Sequence, residues 1–596
     1  MTVRVADYIM KRLVDAGVSH VFQVTGRGSL FLSDALAKNT SLKAVSLHHE
    51  QSCAFAAVAY SEKRRGLGAC LVSTGCASTN TMTGVLTAWQ DGIPCFFISG
   101  QNILRETTRH TGIALRTYGQ QEADIVGLVC PITKFAHMLM APQDIVEVMD
   151  KALKAALTGR KGPVWLDVPL DLQSALIDPD ALAHGAPAVP ATPVVSAETV
   201  SGTADDLRKA QRPVVLIGKG VRSAGAEALL RQFVECWNIP VTFAASAPDS
   251  YGAANRLSIG SVGVMGCSRA GNFAVQNADY VLVLGSRLTA LTTGSDYCKF
   301  ARSAQVTVVD IDPVEHSKEG IRIDRLVTAD LHAFLEALVQ QPVKRVSQAW
   351  VEKCLHWKSL FAKVETEFDS TDVVDLYQLA DRLSDLMPAG CTLVTDSGLA
   401  EVILPSNLRF KEGMDCIHPA SQGAMGFALP AAIGAQHATD GTVLAAVGDG
   451  SVMMNLQELE SIRYHRLPIK LIVINNNVYS IIRRRQRDLF RKRTIGTDPD
   501  NGVSCPDFAK VAECFGLHYQ RIETVDLLDE GLKALFTYPG SVLCEVMGRE
   551  DQGYIEIGQT RSSVDRRLVR RPLEDQQPFL PRDIFLREMI IDPIDQ

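Results

Sequence analysis

Asp449 and Asn476 are the two residues whose types and positions indicate the most specific chemistry. Asp449 lies between two glycines directly after the apolar run Val443–Val447, and Asn476 follows a second apolar run, Lys470–Ile474. A carboxylate and an amide oxygen suit a hard cation such as Mg²⁺, which usually takes further oxygens from water and a phosphate. The glycines let backbone N–H groups approach that phosphate closely. An ordinary strand–helix–strand unit with turn glycines is the alternative.

The elements that must position these two residues are indicated by the apolar pattern between them. Met453, Leu456, Leu459 and Ile462 recur at helical spacing, and Pro468 precedes the second run. The segment therefore predicts a βαβ unit with two parallel, adjacent strands. Both polar residues would then lie at carboxyl ends of strands, which is where open α/β sheets bind ligands.

The bulk composition narrows the class of protein. The chain has 596 residues, of which 46% are hydrophobic and 21% charged, so we expect several globular domains. The net charge of −7 gives no reason to expect nucleic acid, and no apolar run is long enough to span a bilayer. The start of the chain is typical of an amphipathic helix and not of a signal peptide. Fourteen scattered cysteines without metal-ligand spacing predict reduced thiols in a cytoplasmic protein.

Apolar runs alternate with helical patterns along most of the chain, which predicts an α/β protein of three doubly wound parallel-sheet domains. We place these domains at 1–183, 194–345 and 365–550, followed by a tail at 551–596 that packs over the third domain near the active site. The Ala- and Pro-rich stretch His184–Pro193 and the polar stretch Gln340–Ser347 are the predicted boundaries. The first and third units look alike in outline. The predicted strands outside the opening segment are His20–Val24, Lys43–Leu47, Ala69–Val72, Cys95–Ile98, Pro163–Val168, Pro213–Ile217, Pro240–Phe243, Tyr280–Leu284 and Val306–Val309.

A set of motifs resembles the acetohydroxyacid (acetolactate) synthase branch of the thiamine diphosphate enzymes over about residues 3–550. The motifs together are strong evidence for the family and weaker evidence for the substrate. The matching stretches are HHEQSCAFAAVAY (48–60), STGCASTN (73–80), DGIPCFFISGQ (91–101), QQEADI (120–125), PITK (131–134), GPVWLDVPLDLQ (162–173), MGFALPAAIGA (425–435) and GDGSVMMNLQEL (448–459).

The resemblance implies roles for residues that carry little signal alone. A lone Glu50 is more often a helix-start residue, but here it matches the glutamate that shares a proton with N1′ of the aminopyrimidine and so turns the 4′-amino group into a base. Met425 matches the bulky residue that holds the cofactor bent, and Gln121 matches a glutamine beside the ketoacid. The other implied thiamine diphosphate contacts are Thr25, Asn80, Gly398, Gly423, Gly448, Gly450, Ser451, Tyr479 and Ile481, with Asp449, Asn476 and Val478 as ligands of Mg²⁺.

The second unit carries glycine and aspartate motifs that resemble the FAD cradle of the acetohydroxyacid synthases, in which the flavin has no redox part in the main reaction. Each motif is weak alone, because glycine after a strand is common in α/β folds. The match departs from the family where Leu288-Thr289-Ala290-Leu291 replaces charged residues. The residues implied to contact FAD are Gly218, Gly220, Met265, Gly266, Gly285, Arg287, Asp310 and Asp312.

Several departures from the family fall at the expected substrate site. Gln120 stands where the family usually has Phe, Cys76 replaces a proline, and Arg27 occupies a Gly-rich position. Seven of the eleven residues from Arg483 to Arg493 are Arg or Lys, and Arg485 matches a position that is typically tryptophan. The segment is either a solvated basic helix or an anion-binding wall at the active-site mouth, for which arginine is well suited.

The resemblance implies decarboxylation of a 2-ketoacid, first of all pyruvate, and transfer of the acyl-anion equivalent to a second carbonyl. The arginines favour an unusual acceptor, such as the nucleotide-linked keto sugars used by carboligases of the branched-sugar (yersiniose-type) subgroup. The alternatives are a C–C bond hydrolase, an acyl-CoA or 2-ketoacid decarboxylase, and a non-catalytic regulatory homologue. We also expect a homodimer or homotetramer with active sites shared between chains.

Overall fold

The structure is a computed structural model that describes residues 2–182, 193–361, 365–561 and 568–594. The predicted linker His184–Pro193 falls almost wholly outside these residues. Among the described residues, no helix has the length and apolar character needed to cross a membrane. All fourteen cysteines are free.

The first sheet has six parallel strands, and their near-continuous apolar runs are buried because helices cover both faces. Five of its strands overlap the predicted ones, and the sixth, Phe135–Met138, was not predicted. Its principal helices are Val5–Asp15, Leu30–Lys38, Glu50–Arg64, Met82–Asp91 and Ile145–Leu157. In spatial order its strands are Lys43–Ser46, His20–Gln23, Gly68–Val72, Cys95–Gln101, Val164–Pro169 and Phe135–Met138.

The second sheet also has six parallel strands, with principal helices at Ala197–Lys209, Glu227–Trp237, Arg269–Gln276, Leu331–Leu338 and Gln348–Leu360. Numbered along the chain, its strands lie in the order 3-2-1-4-5-6, which is the order of dinucleotide-binding folds. The first and fourth strands are therefore neighbours at the point where the order reverses. In spatial order the strands are Ser258–Val262, Val241–Ala244, Pro213–Ile217, Tyr280–Leu284, Gln305–Asp310 and Arg325–Thr328.

The third sheet has the same strand order as the first, 2-1-3-4-6-5, which agrees with the predicted likeness of the two units. The predicted pairing is confirmed, because Val443–Gly448 and Lys470–Asn475 are parallel neighbours. The strands in spatial order are Asp415–Ile417, Thr392–Thr395, Val443–Gly448, Lys470–Asn475, Val542–Met547 and His518–Ile522. The principal helices are Leu376–Leu386, Leu399–Asn407, Ala428–Gln436, Glu458–His465, Ser480–Leu489, Phe508–Cys514 and Leu528–Thr537.

Helix Glu50–Arg64 packs against helix Ala428–Gln436 and joins the first unit to the third. Small residues make this approach possible, since a Cβ on Gly434 would lie 2.0 Å from the carbonyl oxygen of Ala56. Both helices are buried along most of their length in one shared apolar core. The helix that begins with Glu50 is therefore held rigidly against the third unit.

The tail packs over the third unit only at its start and then crosses to the second unit. Gln552 donates to Asp375 at 2.9 Å, but Gly266 N–H then donates to Ile555 at 2.7 Å. Helix Arg582–Glu588 packs its Phe585 against Phe273 of the second core. The expected covering of the third unit therefore applies to only part of the tail, because most of its apolar side chains find partners on the second unit.

Candidate functional site

Asp449 forms a buried carboxylate turn at the end of the strand Val443–Gly448. Its Oδ1 accepts from Gly450 N at 2.7 Å, and its Oδ2 accepts from Asn477 N at 2.6 Å. Burial raises the pKa of Asp449 to about 6, against the lowering effect of these backbone donors. A Cβ on Gly448 would meet no atom within 4 Å, so there is open space beside the turn. A carboxylate in this setting is suited to hold a cation.

Asn476 lies at the end of the adjacent strand and is held by its own turn. Its Nδ2 donates to Ser480 Oγ at 2.7 Å, and its Oδ1 accepts from Val478 N at 3.4 Å. The ring of Tyr479 lies against the Asp449 turn, since a Cβ on Gly450 would lie 1.9 Å from Tyr479 Cε1. Gly450 is therefore required for this close approach. Val478 is buried, and Ile481 packs at the edge of the third core.

Asp396 is a site residue that sequence reasoning missed. It is fully buried directly after the strand Thr392–Thr395, and its Oδ2 accepts from Ser451 Oγ at 2.7 Å. Ser451 Oγ in turn accepts from Gly426 N at 2.9 Å, next to half-buried Met425. An acidic residue directly after an apolar strand, as at Asp449, is the signal that could have found it.

Gly398 and Gly423 flank this arrangement with backbone conformations that other residues adopt with strain. Gly398 has φ +85° and Gly423 has φ +60°, both in the left-handed region. Gly398 is the N-cap of helix Leu399–Asn407, and Gly423 is two residues before Met425. The structure thus groups the predicted diphosphate-side residues around three neighbouring strand ends.

Glu50 is the first residue of its helix and is oriented by a neighbouring amide. Asn80 Nδ2 donates to Glu50 Oε2 at 2.9 Å. Thr25 follows the strand His20–Gln23 and lies within 3.5 Å of Ser33 Oγ through its hydroxyl. The pairing of Glu50 with Asn80 unites two of the predicted residues at the carboxyl edge of the first sheet.

Arg27, Gln120 and Gln121 form a second group at the same edge of the first sheet. Arg27 Nη1 donates to Gln120 Oε1, and both side chains are exposed. Gln121 has φ +58°, and a Cβ on Gly75 would lie 1.8 Å from its carbonyl oxygen. The departures at Arg27 and Gln120 therefore make a contact with each other.

The two groups of predicted residues are linked through packed helices and not by direct contact. Ser52 Oγ donates to Asn455 Oδ1 at 3.0 Å, and Asn455 Nδ2 donates to Gly426 O at 2.8 Å. Within the described parts of the chain, no hydrogen bond or ion pair joins Glu50 to Asp449.

A cavity of about 600 Å³ lies between the second unit, the third unit and an edge of the first. It opens at the strand-order reversal, between the ends of Pro213–Ile217 and Tyr280–Leu284, and it reaches Gly423. Five of the eight residues predicted for the flavin line this cavity: Gly220, Met265, Gly285, Arg287 and Asp310.

The other three predicted flavin residues lie outside the cavity lining, and each has a packing contact. A Cβ on Gly218 would lie 2.4 Å from Gly285 O, and one on Gly266 would lie 1.9 Å from Val402 O. Asp312 caps the turn Pro313–His316 through Val314 N at 3.0 Å and lies 3.2 Å from Arg160 Nη1. These three positions are explained by backbone packing and capping.

The basic segment divides into paired and unpaired arginines. Arg483 is buried against Glu550 and Asp551, and Arg484 donates to Glu556 at 2.7 Å. Among the described residues, no carboxylate forms an ion pair with Arg485. The Nη2 of Arg485 lies 3.6 Å from Sδ of Met265, a residue of the cavity wall. Arg485 thus lies beside the cavity wall, and its positive charge also acts on Tyr554 and Glu556.

Family models match all three units of the chain. The N-terminal thiamine pyrophosphate-binding domain matches residues 3–128, the central domain 200–338, and the C-terminal binding domain 396–546. The chain is 31% identical over 564 residues to the acetolactate synthase large subunit of Parasynechococcus marenigrum, which covers 92% of this chain and 88% of that protein. The chain belongs to the thiamine pyrophosphate enzyme family. It is also 31% identical to the acetolactate synthase isozyme 2 large subunit of Escherichia coli, over 91% of this chain and 95% of that one.

The residues of the third unit fit the cofactor of this family. Thiamine diphosphate carries an anionic diphosphate, and the open space at Gly448 beside the buried Asp449 carboxylate suits a cation–diphosphate pair. Across the ranges that the structure describes, no cluster of three His, Cys, Asp or Glu side chains forms a metal site of its own. A cation here would complete its shell from backbone, amide and phosphate oxygens.

Proposed function

We propose that this enzyme decarboxylates a 2-ketoacid, first of all pyruvate, and joins the two-carbon unit to a carbonyl acceptor. The observation that carries the proposal is the buried Asp449 turn next to Asn476, on the strand ends of the unit that matches the family's C-terminal domain. Relatives named acetolactate synthase align over more than nine-tenths of the chain and support carboligation.

When bound, thiamine diphosphate would supply the carbon nucleophile and the electron sink that decarboxylation of a 2-ketoacid needs. Glu50 exchanges a proton with N1′ of the pyrimidine, and Asn80 fixes the carboxyl orientation through its 2.9 Å hydrogen bond. Asp449, Asn476 and Val478 would hold Mg²⁺. Met425 orients the cofactor from its half-buried loop.

The cavity of the second unit is proposed as the site of FAD in a non-redox role. Its support is the dinucleotide-type strand order and a volume of about 600 Å³ at the reversal point. Gly220 and Gly285 pack against each other, since a Cβ on Gly220 would lie 2.6 Å from Cα of Gly285, and both line the cavity together with Arg287. FAD bound there would extend toward Gly423 and the thiamine site.

We propose an anionic acceptor, of the nucleotide-linked keto sugar class, because exposed Arg485 lies beside Met265 of the cavity wall and has no carboxylate within ion-pair distance in the described chain. Arg483 and Arg484 do not serve this purpose, since Glu550 and Glu556 neutralise them. Arginine offers two parallel hydrogen bonds to a phosphate, which gives both affinity and orientation.

The active site is proposed to form between two copies of the chain. Its support is the exposure of apolar side chains near the predicted residues of the first unit and near the basic segment of the third. Ile113 and Tyr118 are 61% and 56% exposed near Gln121, and Phe490 and Ile495 are 52% and 77% exposed beyond Arg485. Exposed apolar groups of this kind mark protein interfaces.

Glu50→Gln provides the direct test of the reaction type. The variant keeps the side-chain shape but cannot exchange a proton, so we expect thiamine diphosphate to bind with little change and turnover to fall by about 100-fold or more. Hydrogen–deuterium exchange at C2 of the bound cofactor measures the step itself. The exposed Glu412→Gln is the matched control. Wild-type exchange in Glu50→Gln would overturn the assignment.

A product screen by mass spectrometry tests the carboligation half of the proposal. Pyruvate is supplied with a panel of aldehydes, ketones and keto sugars, and we expect a product that contains pyruvate less CO₂ joined to the acceptor. Release of free acetaldehyde or acetate with every acceptor would favour a decarboxylase or hydrolase over a ligase.

A further inference from the structure

Glu401 and His418 meet at the inner end of the interdomain cavity, at the side that borders Gly423. Glu401 lies in the first turn of helix Leu399–Asn407, and His418 directly follows the strand Asp415–Ile417. Their strands are parallel neighbours in the third sheet, so the fold brings the two side chains together. Glu401 Oε1 lies 3.5 Å from His418 Nδ1, and both residues line the cavity.

Glu401 differs from the other cavity acids in its lack of a strong partner. Asp310 accepts from Asp312 N at 3.0 Å, and Asp330 accepts from Ala333 N at 3.1 Å. Asp91 accepts from Ser421 Oγ, and Glu315 accepts from Arg160. Among the acidic side chains of described residues in this wall, Glu401 has His418 as its sole close polar neighbour.

His418 is nearly buried and leaves one ring nitrogen without a hydrogen bond. Its side chain is 4% exposed, and its Nε2 lies 3.2 Å from the carbonyl oxygen of Ala245, so Nε2 carries the hydrogen and donates. The Nδ1 atom then presents a lone pair toward Glu401 and makes no other hydrogen bond in the described chain. An unpartnered buried nitrogen is costly unless a proton or a ligand completes its bonding.

No hydrogen bond closes this contact, since 3.5 Å is long for one and His418 Nδ1 has no hydrogen-bond partner in the described chain. Burial raises the pKa of Glu401, and the nearby Asp91 carboxylate adds to this effect, while His418 opposes it. Glu401 Oε2 lies outside the contact that Oε1 makes with His418 and can act as an acceptor. The Oε2 atom lies 3.4 Å from the position that a Cβ on Gly423 would occupy, so it points toward the thiamine end of the cavity.

We propose that Glu401, with His418 beside it, binds the hydrogen-bonding edge of a planar heteroaromatic ring in this cavity. The ring has an N–H donor for Oε2, as the isoalloxazine of a flavin does. This inference rests on the proposed dinucleotide site and adds the residues that recognise its ring.

The experiment compares ring-bearing and ringless ligands on the full-length protein after bound nucleotide has been removed by dialysis. FAD and ADP are titrated by fluorescence and calorimetry into wild type, Glu401→Gln and His418→Gln. The exposed Glu412→Gln and His332→Gln are the matched controls. Loss of a hydrogen bond to a charged group predicts FAD binding weakened by about 10-fold to 100-fold, with ADP unchanged.

The outcomes separate this inference from the cofactor assignment. FAD binding that is unchanged in both variants would overturn the pair as a ring receptor while leaving FAD as the cofactor. Equal weakening of FAD and ADP, together with a lowered Tm, would show a structural pair and overturn the inference too. No FAD binding by wild type would overturn both the flavin site and the pair, and thiamine diphosphate titration would show whether the main site stands.

Discussion

The hydroxyl of Ser451 donates to Asp396 Oδ2 at 2.7 Å and joins the carboxyl ends of two neighbouring strands of the third sheet. Ser451 also accepts from Gly426 N at 2.9 Å, so the loop that carries Met425 is tied to the same point. Asp396 is fully buried, and its Oδ1 has no hydrogen-bond partner in the described chain. One buried carboxyl therefore holds in register the segments that carry Gly398, Met425 and Asp449.

Asp396→Asn is expected to change the pH dependence of stability. Burial raises the pKa of Asp396 from 3.8 to about 8, so the folded state retains a proton that the unfolded state loses. Its contribution to the free energy of unfolding is full below about pH 4 and falls as the pH rises to about 8. Asparagine does not titrate, so the free energy of unfolding of the variant should fall by a few kcal/mol less than that of wild type across this pH range. Urea unfolding at several pH values measures the difference.

Asp396→Ala supplies the contrast to that variant. It leaves the Ser451 hydroxyl without its acceptor, and thiamine diphosphate should bind about 10-fold or more weakly because the three segments lose their common anchor. If Asp396→Asn and wild type show the same dependence of unfolding on pH, the carboxyl is not a proton holder.

Asp449→Ala is expected to abolish Mg²⁺-dependent binding of thiamine diphosphate. The cation would lose the carboxylate that lies beside the open space at Gly448. Calorimetry with and without Mg²⁺ measures the effect, and the exposed Asp440→Ala is the matched control. Unchanged affinity in Asp449→Ala would place the anchor elsewhere.

His437 is expected to make the protein labile to acid. Its ring lies 5.1 Å from that of His20 and 5.6 Å from that of His465. Burial, with the neighbouring cationic groups, lowers the pKa of His437 to about 3, and burial lowers that of His20 to about 4. The unfolded state thus binds more protons below about pH 6.5, and stability falls as the pH drops from there.

His437→Gln removes one titrating group from this cluster and should make the acid-induced loss of stability shallower. Thermal melts across the acid range provide the measurement, and His332→Gln serves as the exposed control. An identical loss in His437→Gln and wild type would mean that other groups govern acid unfolding.

The strand–helix alternation was predictable from sequence because parallel strands buried on both faces read as apolar runs. The runs at Val443–Val447 and Lys470–Ile474 gave the pairing on which the candidate metal site depends. Short or half-polar strands such as Phe135–Met138 and Arg325–Thr328 were missed, since edge strands carry a weaker pattern.

Contacts between units were the part that sequence patterns did not reveal. Gly266 looked like a ligand-binding glycine, yet its close neighbour is the backbone of Val402 from the third unit. The approach of Glu401 to His418 and the pairing of Arg483 with Glu550 likewise depend on how distant segments pack. Local spacing contains no information on such distances.

A mixture of Glu50→Gln and Asp449→Ala chains should recover activity if the site forms between two copies. Each mixed dimer would contain one site with both residues intact, so random exchange gives about a quarter of wild-type activity. Steady-state assays before and after exchange measure it, with subunit exchange verified by native mass spectrometry. Complete exchange without recovery would mean that each site is built within one chain.

Arg485→Trp is expected to separate charged acceptors from uncharged ones. Arg485 reaches Met265 in the cavity wall and has no ion-pair carboxylate in the described chain, so a phosphate on the acceptor would gain charge-assisted hydrogen bonds worth about 1.5–3 kcal/mol each. The variant should raise KM for a nucleotide-linked keto sugar by about 10-fold to 100-fold and leave small ketoacid acceptors unaffected. Decarboxylation of pyruvate alone should change little, because Glu50 is untouched.

The exposed Arg493→Trp, in the same basic segment, should affect neither class of acceptor. Equal losses with charged and uncharged acceptors would make Arg485 a structural residue, and no loss with either would remove the main support for an anionic acceptor.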